Sequence, residues 1–194
     1  MSYDLATIVA RLEARDVSAL SDDARAAVAA IFRAPRDQAE AQVLLIRRSE
    51  REGDPWSGHM AFPGGKRDAA DASLLDTAIR ETQEEVGLDL KRHARLVTHL
   101  PSVPALTRSK SGGMLVTPFI FALDESEHPA FELSSEVAEA FWVPIGPMAR
   151  GEIATTFPYQ HEGNLLQLPG FLVQERIVWG LTHRMLSMLF TALR

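Results

Sequence analysis

Cysteine is absent from the 194-residue chain. That excludes disulfides, thiolate metal ligands and a cysteine nucleophile, and it accords with a cytoplasmic location. Positive charge is also scarce: 20 Lys and Arg stand against 26 Asp and Glu, a net charge of -6. Proteins that grip nucleic acid through its phosphate backbone are usually basic, so no nucleic-acid partner is expected. No stretch nears the roughly 18 apolar residues that suggest a membrane helix. The charged opening "MSYDLATIVARLEARD" is unlike a signal peptide. Internal repeats and low-complexity tracts are missing too. What is present is an ordinary globular composition, 46% hydrophobic and 24% charged, long enough for one domain with a sizeable core.

Periodicity and punctuation divide the chain. Leu5, Ile8, Val9 and Leu12 recur at helical spacing, which predicts a helix over 4–15. "SDDARAAVAAIFRA" opens with Ser21 and two aspartates and closes at Pro35, which predicts a second helix over 22–33. Residues 1–36 are thus expected to form a helical extension packed on a main domain, 37–194. "AQVLLIRRS" (41–49) reads as a buried strand, and "MAFPGG" (60–65) as a short strand entering a glycine turn. A helix is expected over 73–86, with Ser73 as its cap and Gly87 just past its end. Strands are expected at 94–100, 114–123 and within 134–145, with one or two short ones in 151–173. The tail "ERIVWGLTHRMLSMLFTAL" reads as a closing helix. The irregular alternation predicts an α/β or α+β domain with a mixed sheet.

The sequence concentrates acid at "RETQEEVGL", residues 80–88. On a helix, Leu75, Ile79, Thr82 and Val86 share one face, and Glu81, Glu84 and Glu85 fall together beside it within an arc of about 100°. Two like charges at about 4 Å repel by roughly 4 kcal/mol at an effective dielectric near 20, less where water and salt screen them. A solvated acidic face is one reading. The other is a divalent cation held by hard oxygen ligands, which suits Mg²⁺ or Mn²⁺. "FPGG" before the helix and Gly87 at its end favour the second reading, because glycine lets backbone approach the carboxylates closely.

These residues resemble the Nudix hydrolase family. The second half of that family's box is Arg-Glu-aliphatic-x-Glu-Glu-x-Gly-aliphatic, and Arg80 to Leu88 matches it except for Thr82 at the usual aliphatic position. The first half departs: five residues after Gly65 comes Asp71 rather than Glu, and the interval to Arg80 is one residue longer. The family's first glutamate steadies the loop against the box arginine, a role open here to Asp71 or Asp68. "FPGGKRDAAD", the upstream "LLIRRS" (44–49), Gly58 and the tail "IVWGLTHRML" (177–186) resemble the coenzyme A-directed branch. The interval from Ser49 to Gly58 is one residue longer than in that branch and lacks its arginine, for which Arg51 is a candidate substitute.

The resemblance implies a Nudix-type α/β/α sandwich and metal-dependent hydrolysis of a diphosphate linked to another group. It implies that Glu81, Glu84, Glu85 and the Gly64 carbonyl hold Mg²⁺ or Mn²⁺, that Arg80 orients a glutamate, and that Glu81 assists deprotonation of the attacking water. Glu132, Glu136, Glu139 and Glu162 are candidates for a further carboxylate outside the box. Arg48, Lys66, Arg108 and Lys110 are candidate phosphate contacts, and His59 is a candidate substrate contact. Trp56 is a candidate to stack on a base, while Trp142 and Trp179 read as core. The expected substrate is coenzyme A or a derivative, yielding 3′,5′-ADP and 4′-phosphopantetheine. The alternatives are ADP-ribose, another nucleotide sugar or a nucleoside triphosphate, and a nucleotide-binding sensor without catalysis. The apolar faces of the terminal helices serve either packing or a homodimer.

Overall fold

The computed structural model describes residues 2–15, 19–36, 39–53, 56–105, 114–124, 130–161 and 163–194. Helix α1 (Leu5–Glu13) forms as its periodicity predicts and buries Leu5, Ile8, Val9 and Leu12. Asp4 caps it, accepting a hydrogen bond from the Thr7 backbone N–H at 2.8 Å. The expected second helix does not form. Residues Ala24–Arg33 are strand β1, which pairs in parallel with β7 (Leu115–Leu123) through the middle of the main sheet. Alanine favours helices in isolation, but tertiary packing overrides propensity when both faces of a segment are covered. Ala26, Ala30 and Phe32 enter one core layer, and Ala27, Ala29 and Ile31 the other. The Ser21 signal is a turn rather than a cap, with its carbonyl accepting from the Ala24 N–H at 3.1 Å.

The mixed sheet is completed by β2 (Gln42–Arg48), β3 (Met60–Ala61), β4 (Gly64–Lys66), β5 (Ala94–His99), β6 (Val103–Pro104) and β8 (Val137–Pro144). Its backbone order is β3-β2-β1-β7-β5, with β4 on β1, β6 on β7 and β8 on β2. Helix α2 (Leu74–Val86) and the short α3 (Leu90–His93) cover one face. Helices α1 and α5 (Gly180–Ala192) contribute to the core on the other, and a short α4 (Ile145–Ala149) follows β8. The result is the α/β/α sandwich with a mixed sheet that the sequence led us to expect.

A second sheet, β11-β10-β9, carries β9 (Ala154–His161), β10 (Asn164–Val173) and β11 (Arg176–Trp179). The start of the expected closing helix is therefore strand. Gln174 and Glu175 both take positive φ, 45° and 64°, in a two-residue hairpin turn that pairs Arg176 with Val173. Helix α5 begins only at Gly180. Among the described residues no helix is long and apolar enough to cross a membrane.

Candidate active site

Helix α2 is fixed at both ends by the residues the sequence singled out. The Ser73 hydroxyl accepts from the Asp76 N–H at 3.2 Å, and Gly87 takes the left-handed conformation, φ 72°, while its N–H bonds Gln83. The buried stripe runs through Leu74, Ala78, Thr82 and Val86, with Leu75 and Ile79 only partly buried. Thr82 is tolerated at an apolar position because its hydroxyl donates to the Ala78 carbonyl at 2.7 Å. The helix is turned so that Glu85 also points inward and is only 4% exposed.

Strand β4 brings the glycine turn against α2. It pairs with β1, placing Gly64 opposite Val28. Gly64 has φ 152°, and a Cβ there would collide with the Ala27 carbonyl. A Cβ on Gly65 would lie 2.5 Å from the Glu81 carboxylate. Glycine is thus required at position 64 for the turn to meet the strand, whereas a side chain at position 65 would displace the Glu81 carboxylate. The Gly64 N–H donates to Glu85 Oε2 at 2.9 Å, so this turn presents a backbone donor to the buried acid.

The choice between Asp68 and Asp71 is resolved by contact. Arg80 forks onto both oxygens of Asp71, at 2.9 and 3.0 Å. Asp71 also accepts from the Asp68 N–H and the Thr77 hydroxyl, both at 2.9 Å. The Arg80 hydrogen bonds, outweighing burial, hold the Asp71 carboxyl well below the usual range. Arg80 in turn stays charged, chiefly through Asp71. It also donates to the Lys66 carbonyl at 3.2 Å and meets Glu81 and Glu84 at 3.0 and 2.9 Å. One guanidinium therefore ties the loop to two glutamates of the acidic cluster.

The glutamates have distinct environments. Burial pushes Glu85 up to about 7, against the lowering effect of the Gly64 N–H, and the charges of Glu81 and Glu136 add to the rise. Arg48 Nη1 stands 4.0 Å from Glu85 Oε1. Burial also raises Glu81, opposed by Arg80. Glu84, with 58% of its side chain exposed, lies along Arg80. Among the described residues, no group of three or more His, Asp or Glu side chains converges as a ready metal site. The donor chemistry nevertheless suits a divalent cation. Two hard-oxygen carboxylates of raised pKa adjoin a glycine turn, and a cation would offset both their desolvation and their repulsion. Enlisting Glu84 requires it to turn from Arg80.

The other candidates are scattered. His59 accepts through its carbonyl from the Arg48 N–H at 3.0 Å, which puts it beside the site. Lys66 is exposed and joins the network through its backbone. Arg108 and Lys110 lie outside the described residues, as does Glu162. Glu139 pairs with Arg47 and Arg176, and Glu136 with Arg51. Glu132 lies against Gly87 at the end of α2. Trp142 packs against the α2 core layer and under Arg33. Trp179, read as core, instead stacks with Phe157 near His59. Its apolar neighbours in sequence gave no sign of this, because β9 lies about twenty residues upstream.

The NUDIX domain model matches residues 23–157. The chain belongs to the Nudix family. The match includes all of β1 and ends inside β9. A Nudix hydrolase of Photorhabdus laumondii called NudL, itself uncharacterised, is 31% identical over 149 residues, covering 75% of this chain and 74% of that protein. An uncharacterised protein of Schizosaccharomyces pombe is 44% identical over 116 residues, 58% of this chain. This Nudix chain aligns with only 35% of the length of that yeast relative. In fold, it resembles a MutT/nudix family protein from Enterococcus faecalis, with a TM-score of 0.52, 17% identity, and coverage of 97% of this chain and 68% of that one. It also resembles a C. elegans Ap4A hydrolase in binary complex, with a TM-score of 0.51, 21% identity, and coverage of 66% and 84%.

Proposed function

We propose that this Nudix protein is a divalent-metal-dependent pyrophosphohydrolase acting on a nucleoside diphosphate linked to another group, with coenzyme A or a derivative as substrate. The observation that carries the reading is the burial of Glu85 against the Gly64–Gly65 turn, beside Glu81 and Arg48. A carboxylate so placed has a cationic partner to gain, and a diphosphate needs its charge neutralised before water can attack. Bound Mg²⁺ or Mn²⁺ would supply that neutralisation and lower the pKa of the attacking water.

The chain's own groups divide the remaining work. Glu81, Glu84, Glu85 and the Gly64 carbonyl hold the metal, with Arg80 and Asp71 fixing the helix and loop that carry them. Arg48, Lys66, Arg108 and Lys110 meet phosphate oxygens, and His59 contacts the substrate. Glu81, raised by burial above its ordinary range, accepts the proton of the attacking water. The new P–O bond forms as the bridging P–O bond breaks, and the leaving phosphate departs. Coenzyme A would yield 3′,5′-ADP and 4′-phosphopantetheine. We place this activity in the cytoplasm, which the lack of cysteine supports.

The branch choice rests on "LLIRRS", Gly58 and the aspartates after FPGGK. A second reading, hydrolysis of ADP-ribose, another nucleotide sugar or a nucleoside triphosphate, is favoured by the altered stretch from Ser49 to Gly58. There Arg51 is already engaged with Glu136 at 3.1 Å. The test is to incubate the protein with Mg²⁺ or Mn²⁺ and coenzyme A, its thioesters, ADP-ribose, NADH, diadenosine polyphosphates or nucleoside triphosphates, then identify products by mass. Release of 3′,5′-ADP from coenzyme A is expected. Turnover of ADP-ribose with coenzyme A untouched selects the second reading, and turnover of nothing selects a nucleotide sensor.

A further inference from the structure

The terminal helices enclose a cavity on the face of the main sheet away from α2. Its volume is about 390 Å³, within the roughly 300–1,000 Å³ of small-molecule pockets. Helix α1 supplies Leu12 and Arg15, α5 supplies Arg184 and Met188, and the end of β5 with the residue after it supplies His99 and Leu100. Leu12 and Leu100 belong to the core layer of α1 and α5, whereas the acidic helix packs on the opposite layer. The cavity is therefore separate from the candidate active site.

The walls are largely apolar, and few polar groups in them are available to a ligand. Arg184, Ser187, Met188 and Thr191 share one stripe of α5 at helical spacing. The Ser187 hydroxyl donates to the His183 carbonyl and the Thr191 hydroxyl to the Ser187 carbonyl, both at 2.9 Å. Both hydroxyl protons are thus engaged by the helix's own backbone. Arg15 Nη1 donates to the Ala192 carbonyl at 2.9 Å, which caps the end of α5 and accounts for that residue by structure. Arg184 has no such account. It is exposed, and among the described residues it makes no hydrogen bond or ion pair.

A lone exposed arginine is ordinarily a solvated charge. The surroundings of Arg184 set it apart. In a chain of net charge -6, the described lining carries Arg15, Arg184 and His99 and no carboxylate. The cavity thus reverses the charge of the molecule, and an anion entering it meets no like charge on that lining. The planar fork of a guanidinium matches the two oxygens of a carboxylate, and the apolar walls match a hydrocarbon body.

We propose that this cavity is a second ligand site, which binds a small aliphatic carboxylate. Arg184 takes the carboxylate, and Leu12, Leu100 and Met188 take the chain. The site does not depend on the diphosphatase reading.

The test is calorimetric binding of octanoate, octan-1-ol and inorganic phosphate to the full chain without divalent metal, for wild type and Arg184→Gln. Octanoate should bind wild type at one molecule per chain and more tightly than either other probe. Arg184→Gln should weaken octanoate about 5- to 10-fold, between the worth of an exposed ion pair and that of a charged hydrogen bond. It should leave octan-1-ol within about twofold, which also shows that the cavity is intact. Absence of octanoate binding to wild type, or undiminished binding by Arg184→Gln, overturns the proposal. Equal affinity for octan-1-ol overturns the anion site, and equal affinity for phosphate overturns the role of the apolar walls.

Discussion

Asp71 illustrates how a departure from the family pattern is absorbed. The acid is one methylene shorter than glutamate and the interval to Arg80 one residue longer, yet the fork onto Arg80 forms at 2.9 and 3.0 Å. The sequence alone left Asp68 and Asp71 equivalent, because which one faces Arg80 depends on the loop's path. Removing Asp71 strands a guanidinium whose side chain is 29% exposed. Asp71→Ala should therefore cost about 2–3 kcal/mol in urea unfolding, below the value for a fully buried pair. The pH dependence has a definite sign. Folding lowers the Asp71 pKa, so its contribution is complete above its ordinary value of 3.8 and is lost as pH falls below that. Wild type should lose stability in acid more steeply than Asp71→Ala, and parallel acid-unfolding curves would contradict the pairing.

Helix α2 was readable because its signals are local: Ser73, Gly87 and carboxylates at positions that a 3.6-residue repeat brings together. The glycine turn was readable for the same reason. Strand β1 was not, since an alanine-rich run carries a helical propensity that only its burial between two layers reverses. Strand β11 was hidden similarly, because its pairing with β10 depends on a turn at Gln174–Glu175 without glycine or asparagine. The inward aim of Glu85 also escaped, because a helical wheel gives spacing but not the side that meets the sheet. The β1–β4–α2 contact makes a prediction of its own. Gly64→Ala places a methyl group into the Ala27 carbonyl, so strand and turn must part. It should destabilise by about 1–3 kcal/mol and lower activity more than 10-fold, whereas Ser73→Ala should cost only about 1 kcal/mol. Full activity in Gly64→Ala would show that the close approach is dispensable.

Across the molecule, the buried acids link metal, pH and stability. Folding raises Glu85 from 4.5 to about 7, so the native state holds a proton there that the unfolded chain gives up. The contribution of that proton to stability fades as pH rises through this window. A cation must displace the same proton. Thermal stabilisation by Mg²⁺ should therefore grow between about pH 5 and 7 and level off above, and Glu85→Gln should flatten the dependence. A pH-independent shift would separate Glu85 from the metal. Arg48 on β2 reaches to 4.0 Å from Glu85 on α2, so the main sheet and the acidic helix share one candidate site. Its central element is Glu85, and the most direct measurement is the hydrolysis of coenzyme A by Glu85→Gln with saturating Mg²⁺, alongside its circular dichroism. The account predicts a fall in kcat of more than 10-fold, at least about 1.4 kcal/mol of transition-state stabilisation, with the fold retained. A smaller fall in a well-folded variant would contradict it.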